Sequence, residues 1–193
     1  MSISHAPEHD TSSGRRVIEM KRSIGPRVPA VVPFAFGVYA VLLVALTLCK
    51  GYLSLGGVWN TGAHHQRSLD LVLFNGFSDA PIWWGPWANT IGNVALFLPF
   101  GFLLLVVLRS RSRFPLLEVI AYSALVSLII EVAQFVFAVG YTDVDDLLLN
   151  TIGGALGALI ALKAPRDAVK GLCWTLIAGC VSILGLMVTS SLR

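Results

Sequence analysis

The chain has 193 residues, of which 55% are hydrophobic and only 13% charged, against about 25% charged in an average soluble domain. With a mean hydropathy of +0.76, this composition excludes an ordinary soluble globule. It predicts an all-α, polytopic membrane helical bundle of about five transmembrane helices. The net charge of +3 is small and no nucleic-acid partner is expected. Where the Lys and Arg fall matters more than their sum, because loop cations set topology.

Residues 1–28 are polar and carry Arg15, Arg16, Lys21, Arg22 and Arg27. They read as a disordered basic cytoplasmic tail that orients the first helix, followed by a transmembrane domain over 29–193. Segment one is predicted at 31–50. A polar-aromatic stretch over 51–86 contains His64, His65 and Asp70 and ends in the Trp83-Trp84-Gly85-Pro86-Trp87 run, an interfacial aromatic anchor. Segment two follows at 87–108, with Pro99 inside it as an expected kink. A basic loop of Arg109, Arg111 and Arg113 leads to segment three at 115–139. The acidic turn from Gly140 to Asp146 opens segment four at 146–163. A second basic loop with Lys163, Arg166 and Lys170 leads to segment five at 171–191. With five spans, the tail and both basic loops share one side, which the positive-inside rule makes cytoplasmic. Lys50 is the exception, and it can snorkel at a helix end.

The cysteines, Cys49, Cys173 and Cys180, all lie in apolar segments. They read as inert buried thiols, and neither a disulfide framework nor a zinc spacing is present. Gly153 and Gly157 form a GxxxG spacing on segment four, read as tight packing within one chain.

A polar stripe crosses these apolar segments. Ser123, Ser127, Glu131 and Gln134 are spaced along one face of segment three. Asp143, Asp146 and Asn150 line a face of segment four if its helix begins early, and Asn89 and Asn93 are four apart on segment two. Lipid satisfies none of these groups, so the three faces are expected to meet, in the outer half of the membrane. Glu131 is the most demanding, because a carboxylate deep in an apolar run costs on the order of 3 kcal/mol on insertion scales.

Three readings stand side by side. Asn93, Gln134 and Asn150 can act as helix–helix glue at about 1 kcal/mol or less per bond. Alternatively, Asn93, Glu131, Gln134, Asp143, Asp146 and Asn150 form an outward-facing binding pocket. Within it Glu131 is the candidate general acid or base, and Asp143 and Asp146 are the candidate oxygen ligands of a divalent ion. The third reading is proton-coupled transport. Asp145 and Asp146 alone read as solvated helix-start residues favoured by the dipole. His64 and His65 read as a solvated pair on the outer side, and no cofactor is expected.

The same positions carry a family resemblance. Asn93-Val94-Ala95-Leu96-Phe97-Leu98-Pro99-Phe100-Gly101 resembles the N-x-x-x-F-x-P-x-G signature of VanZ-like membrane proteins. Glu131 and Gln134 as E-x-x-Q resemble the next block. Asp143-Val144-Asp145-Asp146 with Asn150-Thr151-Ile152-Gly153-Gly154 and Gly157 resembles the third, so the resemblance covers about 89–162. The family commonly has an Arg just before the acidic run, whereas Ala138-Val139-Gly140-Tyr141 contains no basic residue.

The resemblance implies a multi-pass protein of the bacterial inner membrane acting at the cell envelope. Members are associated with resistance to teicoplanin-type glycopeptides or with envelope and exopolysaccharide genes, and no catalytic activity is established for them. The expected partners are membrane lipid and a polar headgroup, lipid-linked or cell-wall ligand. The alternatives are an intramembrane, metal-assisted enzyme acting on a lipid-linked substrate, and a small transporter.

Overall fold

The structure is a computed structural model that describes residues 28–48, 69–77, 83–137 and 142–191. The basic tail up to residue 27, the stretch 49–68 with Cys49, His64 and His65, residues 78–82, and the turn at 138–141 lie outside the described residues.

Among the described residues, five helices are long and apolar enough to cross a membrane. They are α1 (Val31–Leu48), α2 (Gly85–Leu108), α3 (Pro115–Phe137), α4 (Val144–Lys163) and α5 (Arg166–Ser191). Each expected span is a helix, and the departures lie at the ends. Helix α4 starts at Val144 because Asp143 is its N-cap, the carboxylate accepting from the Asp145 backbone N–H at 2.8 Å. Helix α5 starts at Arg166, directly after Pro165, so Arg166 and Lys170 lie in its first turns rather than in a loop. Prolines also open two other helices, Pro86 in the first turn of α2 and Pro115 at the start of α3, where a missing N–H costs nothing. Ser112 accepts from the Phe114 N–H at 2.9 Å and donates to Glu118, which fixes the entrance to α3. Pro99 sits inside α2, which runs unbroken through it.

The dominant interface is between α2 and α4. Two close approaches set its register. A Cβ at Gly153 would overlap the Val94 carbonyl, and one at Gly157 would overlap the Leu98 carbonyl. Both residue numbers rise together along the contact, so the two helices run parallel. Glycine is required because backbone meets backbone at these points, the small-residue packing that substitutes for a hydrophobic drive within lipid. The GxxxG spacing therefore serves packing within the chain.

Helix α3 packs mainly on α4, and α1 lies against α2 and α5. Phe36, Phe97 and Phe100 link α1 to α2, with ring centroids 5.4 and 5.6 Å apart. The Tyr39 hydroxyl donates to the Leu96 carbonyl in the same region. Helix α5 is the least buried, but its Cys173 and Cys180 point inward as free thiols. Large apolar side chains such as Val41, Ile129, Val132 and Leu186 face outward, as lipid-facing positions should.

At one end of the bundle a short parallel ladder joins distant segments: β1 (Leu69–Asp70) pairs with β2 (Thr142–Asp143). That end also holds the C-terminus of α3 and the N-termini of α2 and α4. The opposite end holds the start of α1, the Arg109–Arg113 turn and the α4–α5 connection.

Candidate functional site

The polar stripe of α3 faces inward over its whole length, since Ser123, Ser127, Glu131 and Gln134 are all buried. Their spacings of four, four and three keep them on one helical face, and α4 covers most of it. Asn89 and Asn93 lie on α2, which α4 also touches. The acidic start of α4 is thus wedged between the two polar faces.

Asp146 is the meeting point with α2. The Asn89 side-chain amide donates to its carboxylate at 3.0 Å, and the Asn93 amide donates to the same oxygen. Asn93 also approaches the Asn89 side-chain oxygen at 3.4 Å. On the other flank, the Glu131 carboxylate, only 4% exposed, accepts from the Asp143 backbone N–H at 3.0 Å. One turn deeper, the Asn150 amide donates to Ser127 Oγ at 2.9 Å, and that hydroxyl reaches the Asp146 carbonyl at 3.5 Å. Three helices are therefore joined through one connected set of polar contacts at the α2–α3–α4 end.

Five of the six predicted site residues, Asn93, Glu131, Asp143, Asp146 and Asn150, belong to this set. Gln134 does not. It points to α1, donating to the Thr47 carbonyl at 3.1 Å. Gln134 lies on the same face as Glu131, but at its height α1 stands beside that face. Asp143 and Asp146, the candidate metal ligands, are drawn to different partners, one capping α4 and the other holding α2. Among the described residues no group of three or more His, Cys, Asp or Glu side chains is arranged to hold a metal ion.

Asp145 departs most from its sequence reading. Rather than a solvated helix-start residue, it is only 8% exposed, and both carboxylate oxygens accept from the Phe74 N–H, at 3.0 and 2.9 Å. Phe74 has φ of +57°, a left-handed conformation unusual for a bulky side chain. The carboxylate therefore anchors a turn that the chain does not adopt readily. Asp70 organises the same turn, accepting from the Val72 N–H at 3.0 Å and from the Asn75 amide. These bonds hold the exposed Asp70 carboxyl below the usual range, the Val72 N–H contributing most. Phe77 stacks edge-on against Trp87 at 5.2 Å, so the turn also touches the start of α2. Residues 69–77 thus form a strap beside the start of α4, fastened by the ladder, Asp145 and Trp87. Its one legible signal was an Asp in an irregular polar stretch, too weak to assign a partner.

The cluster is rich in acceptors. Asp143 is half-buried, and its carboxyl is pushed up to about 6, chiefly by burial, with neighbouring Asp146, Asp145 and Asp70 charges adding to the rise. The hydrogen bond from the Asp145 N–H works in the opposite direction. Below it, Asn150 Oδ1 and Ser123 Oγ are buried with no hydrogen-bond partner among the described residues.

The VanZ/LLP1 family model matches residues 36–165, extending beyond the motif blocks to include most of α1 and the strap. Protein VanZ of Enterococcus faecium is 38% identical over 119 residues, which cover 62% of this chain and 66% of that protein. The match spans just under two thirds of that relative's length. No solved structure gives a significant match.

Proposed function

The chain belongs to the VanZ/LLP1 family, and from that premise we propose that its polar cluster is a pocket for a polar headgroup or cell-surface ligand in the bacterial envelope. The protein would lie in the cytoplasmic membrane with its N-terminus inside, as the basic tail and basic loops favour, and the pocket would open outward. The observation that carries this reading is the junction itself. Amides of α2, the buried carboxylate of α3 and the acidic start of α4 form one hydrogen-bonded set at the end of a membrane bundle. A buried carboxylate on a membrane-spanning helix costs more than simple helix adhesion requires, and such residues mark functional sites by default.

The chemistry of the set narrows the ligand class. Carboxylates and unpartnered side-chain oxygens dominate it, so it suits a ligand that presents donors, such as sugar hydroxyls or an ammonium group. The strap over residues 69–77 is placed to admit or retain such a group. A link to teicoplanin-type glycopeptide resistance, or to exopolysaccharide processes, follows from the family and is part of the proposal.

The test is expression of the full chain in a glycopeptide-sensitive bacterial host, reading the inhibitory concentration of a teicoplanin-type drug and the envelope phenotype. Glu131→Gln and Asp146→Asn keep shape and an acceptor oxygen while removing charge. Both are expected to abolish the phenotype with unchanged expression and melting in detergent. A wild-type chain without any phenotype defeats the resistance link. Variants as active as wild type defeat the pocket.

A further inference from the structure

A cavity of about 730 Å³ opens at the end of the bundle opposite the polar cluster, where the start of α1, the end of α2 and the α4–α5 connection meet. Its chemistry is the reverse of the acidic cluster. Arg109, Arg166 and Lys170 line it, with Asp167 as the only acid among its lining residues. All three cations are exposed at the rim and have no ion-pair partner among the described residues. Arg166 and Lys170 are four apart on α5 and share a face, while Arg109 caps α2 across the gap. The floor is apolar: Val106 and Val169 line the cavity and are fully buried.

We infer that this groove binds the phosphate headgroup of an anionic membrane lipid. Two guanidinium groups and an ammonium converge on one space, and a guanidinium fork matches phosphate oxygens in paired hydrogen bonds. The cavity sits level with the ends of four membrane helices, which is where lipid phosphates lie. Basic pockets between helices at the membrane face recognise anionic headgroups for this reason. The apolar side chains at the opening favour a lipid over a soluble anion: Val28 and Pro29 are partly exposed and Pro165 is exposed, and a phosphodiester brings acyl and glycerol carbon to cover them, whereas a free phosphate would leave them wet. Trp174 lies one turn beyond Lys170 on the same α5 face and is exposed, so the groove continues into an apolar flank suited to an acyl chain.

The experiment uses the purified full chain in detergent micelles, titrated with phosphatidylglycerol or phosphatidylcholine. Retained lipid is read by native mass spectrometry, and stability by thermal melting. Phosphatidylglycerol is expected to be retained and to raise the melting temperature, and phosphatidylcholine to do neither. The combined Arg109→Gln, Arg166→Gln, Lys170→Gln variant is expected to bind phosphatidylglycerol about tenfold more weakly or worse. Arg166→Lys keeps the charge but loses the fork, so it should fall between wild type and Arg166→Gln. Single Arg166→Gln and Lys170→Gln variants repeat the measurement should the triple variant fold poorly, and each should show a smaller loss in the same direction. Equal retention of the two lipids, or an unchanged affinity in the Gln variants, overturns the inference. Displacement of bound phosphatidylglycerol by inorganic phosphate at equal phosphate concentration also overturns it, in favour of a soluble anion.

Discussion

Helices α4 and α5 are consecutive spans, yet they stand in opposite relation to the rest of the molecule. Helix α5 has the more apolar membrane-length stretch and is the least buried, and it leans on α1 with most of its surface turned outward. Over a membrane-length stretch helix α4 has the lowest hydropathy of the five spans, and it has the greatest share buried; it packs on both α2 and α3 and starts within the polar cluster. Within a membrane, lipid solvates apolar side chains as well as protein does, so hydrophobicity alone gives a helix no reason to be interior. Glycines, amides and carboxylates do give that reason. Low hydropathy in a spanning helix therefore marks the organising element, and α4 is where substitutions should be felt.

The largest effect is expected from bulk at the backbone contact. Gly157→Val places atoms where the Leu98 carbonyl already lies, and only backbone movement can relieve it. Overpacking typically costs about 1–3 kcal/mol, and more where no side chain can yield. Since folded proteins hold only about 5–15 kcal/mol in reserve, this variant should lose most of its monodisperse yield in detergent. Gly179→Val on α5 meets open space and should behave as wild type. Similar yields for the two would remove the distinction between the helices.

Next comes the strap. Asp145→Ala leaves the Phe74 N–H without its acceptor and releases a residue in left-handed conformation. Bonds to charged groups contribute about 1.5–3 kcal/mol, so the loss should appear as faster proteolytic cutting within residues 69–77 and a lower melting temperature. Asp145→Asn keeps one acceptor and should fall between the two. Unchanged cutting in the Ala variant would mean that the ladder and the Phe77–Trp87 contact suffice to hold the strap.

A smaller contrast separates two serines. Ser127 is fully buried and links Asn150 to the Asp146 carbonyl, whereas Ser182 is exposed and bonds only to Ala178 on its own helix. Ser127→Ala is expected to cost about 0.6–1 kcal/mol, near the measured range for interhelical bonds in membranes. Ser182→Ala should stay within about 0.5 kcal/mol of wild type. Comparable melting shifts would show that the polar set adds no cohesion.

Much of this architecture was readable in the sequence because its signals are local or periodic. Span length gave the five helices, and the four–four–three spacing placed Ser123 to Gln134 on one buried face. The paired Asn89 and Asn93 pointed to a partner helix, which proved to be α4. Other features depend on contacts between segments far apart in the chain. Asp145 looks solvated from its own neighbourhood, and it is buried only because a turn 71 residues earlier folds over it. Gln134 shares its face with Glu131, but α1 lies nearest at that height, and no pattern within α3 reveals which helix stands beside it. The start of α4 at Val144 was obscured because acidic residues suit a loop as well as a first turn, and only the Asp143 cap decides between them.

Asp143 provides the finest test, because it stands at the boundary between the acidic cluster and α4. Its carboxyl is pushed up to about 6 from an ordinary 3.8, with burial as the leading cause. The folded chain therefore holds this proton more tightly than the unfolded chain does. The stability this gives is complete below about 3.8 and is lost as the pH rises through about 6. Solvent reaches the half-buried side chain and screens the effect, so the change in melting temperature should be small. Asp143→Asn keeps the oxygen that caps Asp145 and cannot ionise, so it matches the protonated wild type at low pH. The melting advantage of the Asn variant should accordingly grow from pH 4 to pH 7, and most of that growth should come before pH 6.5. Parallel melting curves for the two proteins across this range would place the Asp143 carboxylate in water, and the acidic start of α4 would then be a solvated surface instead of the wall of a pocket.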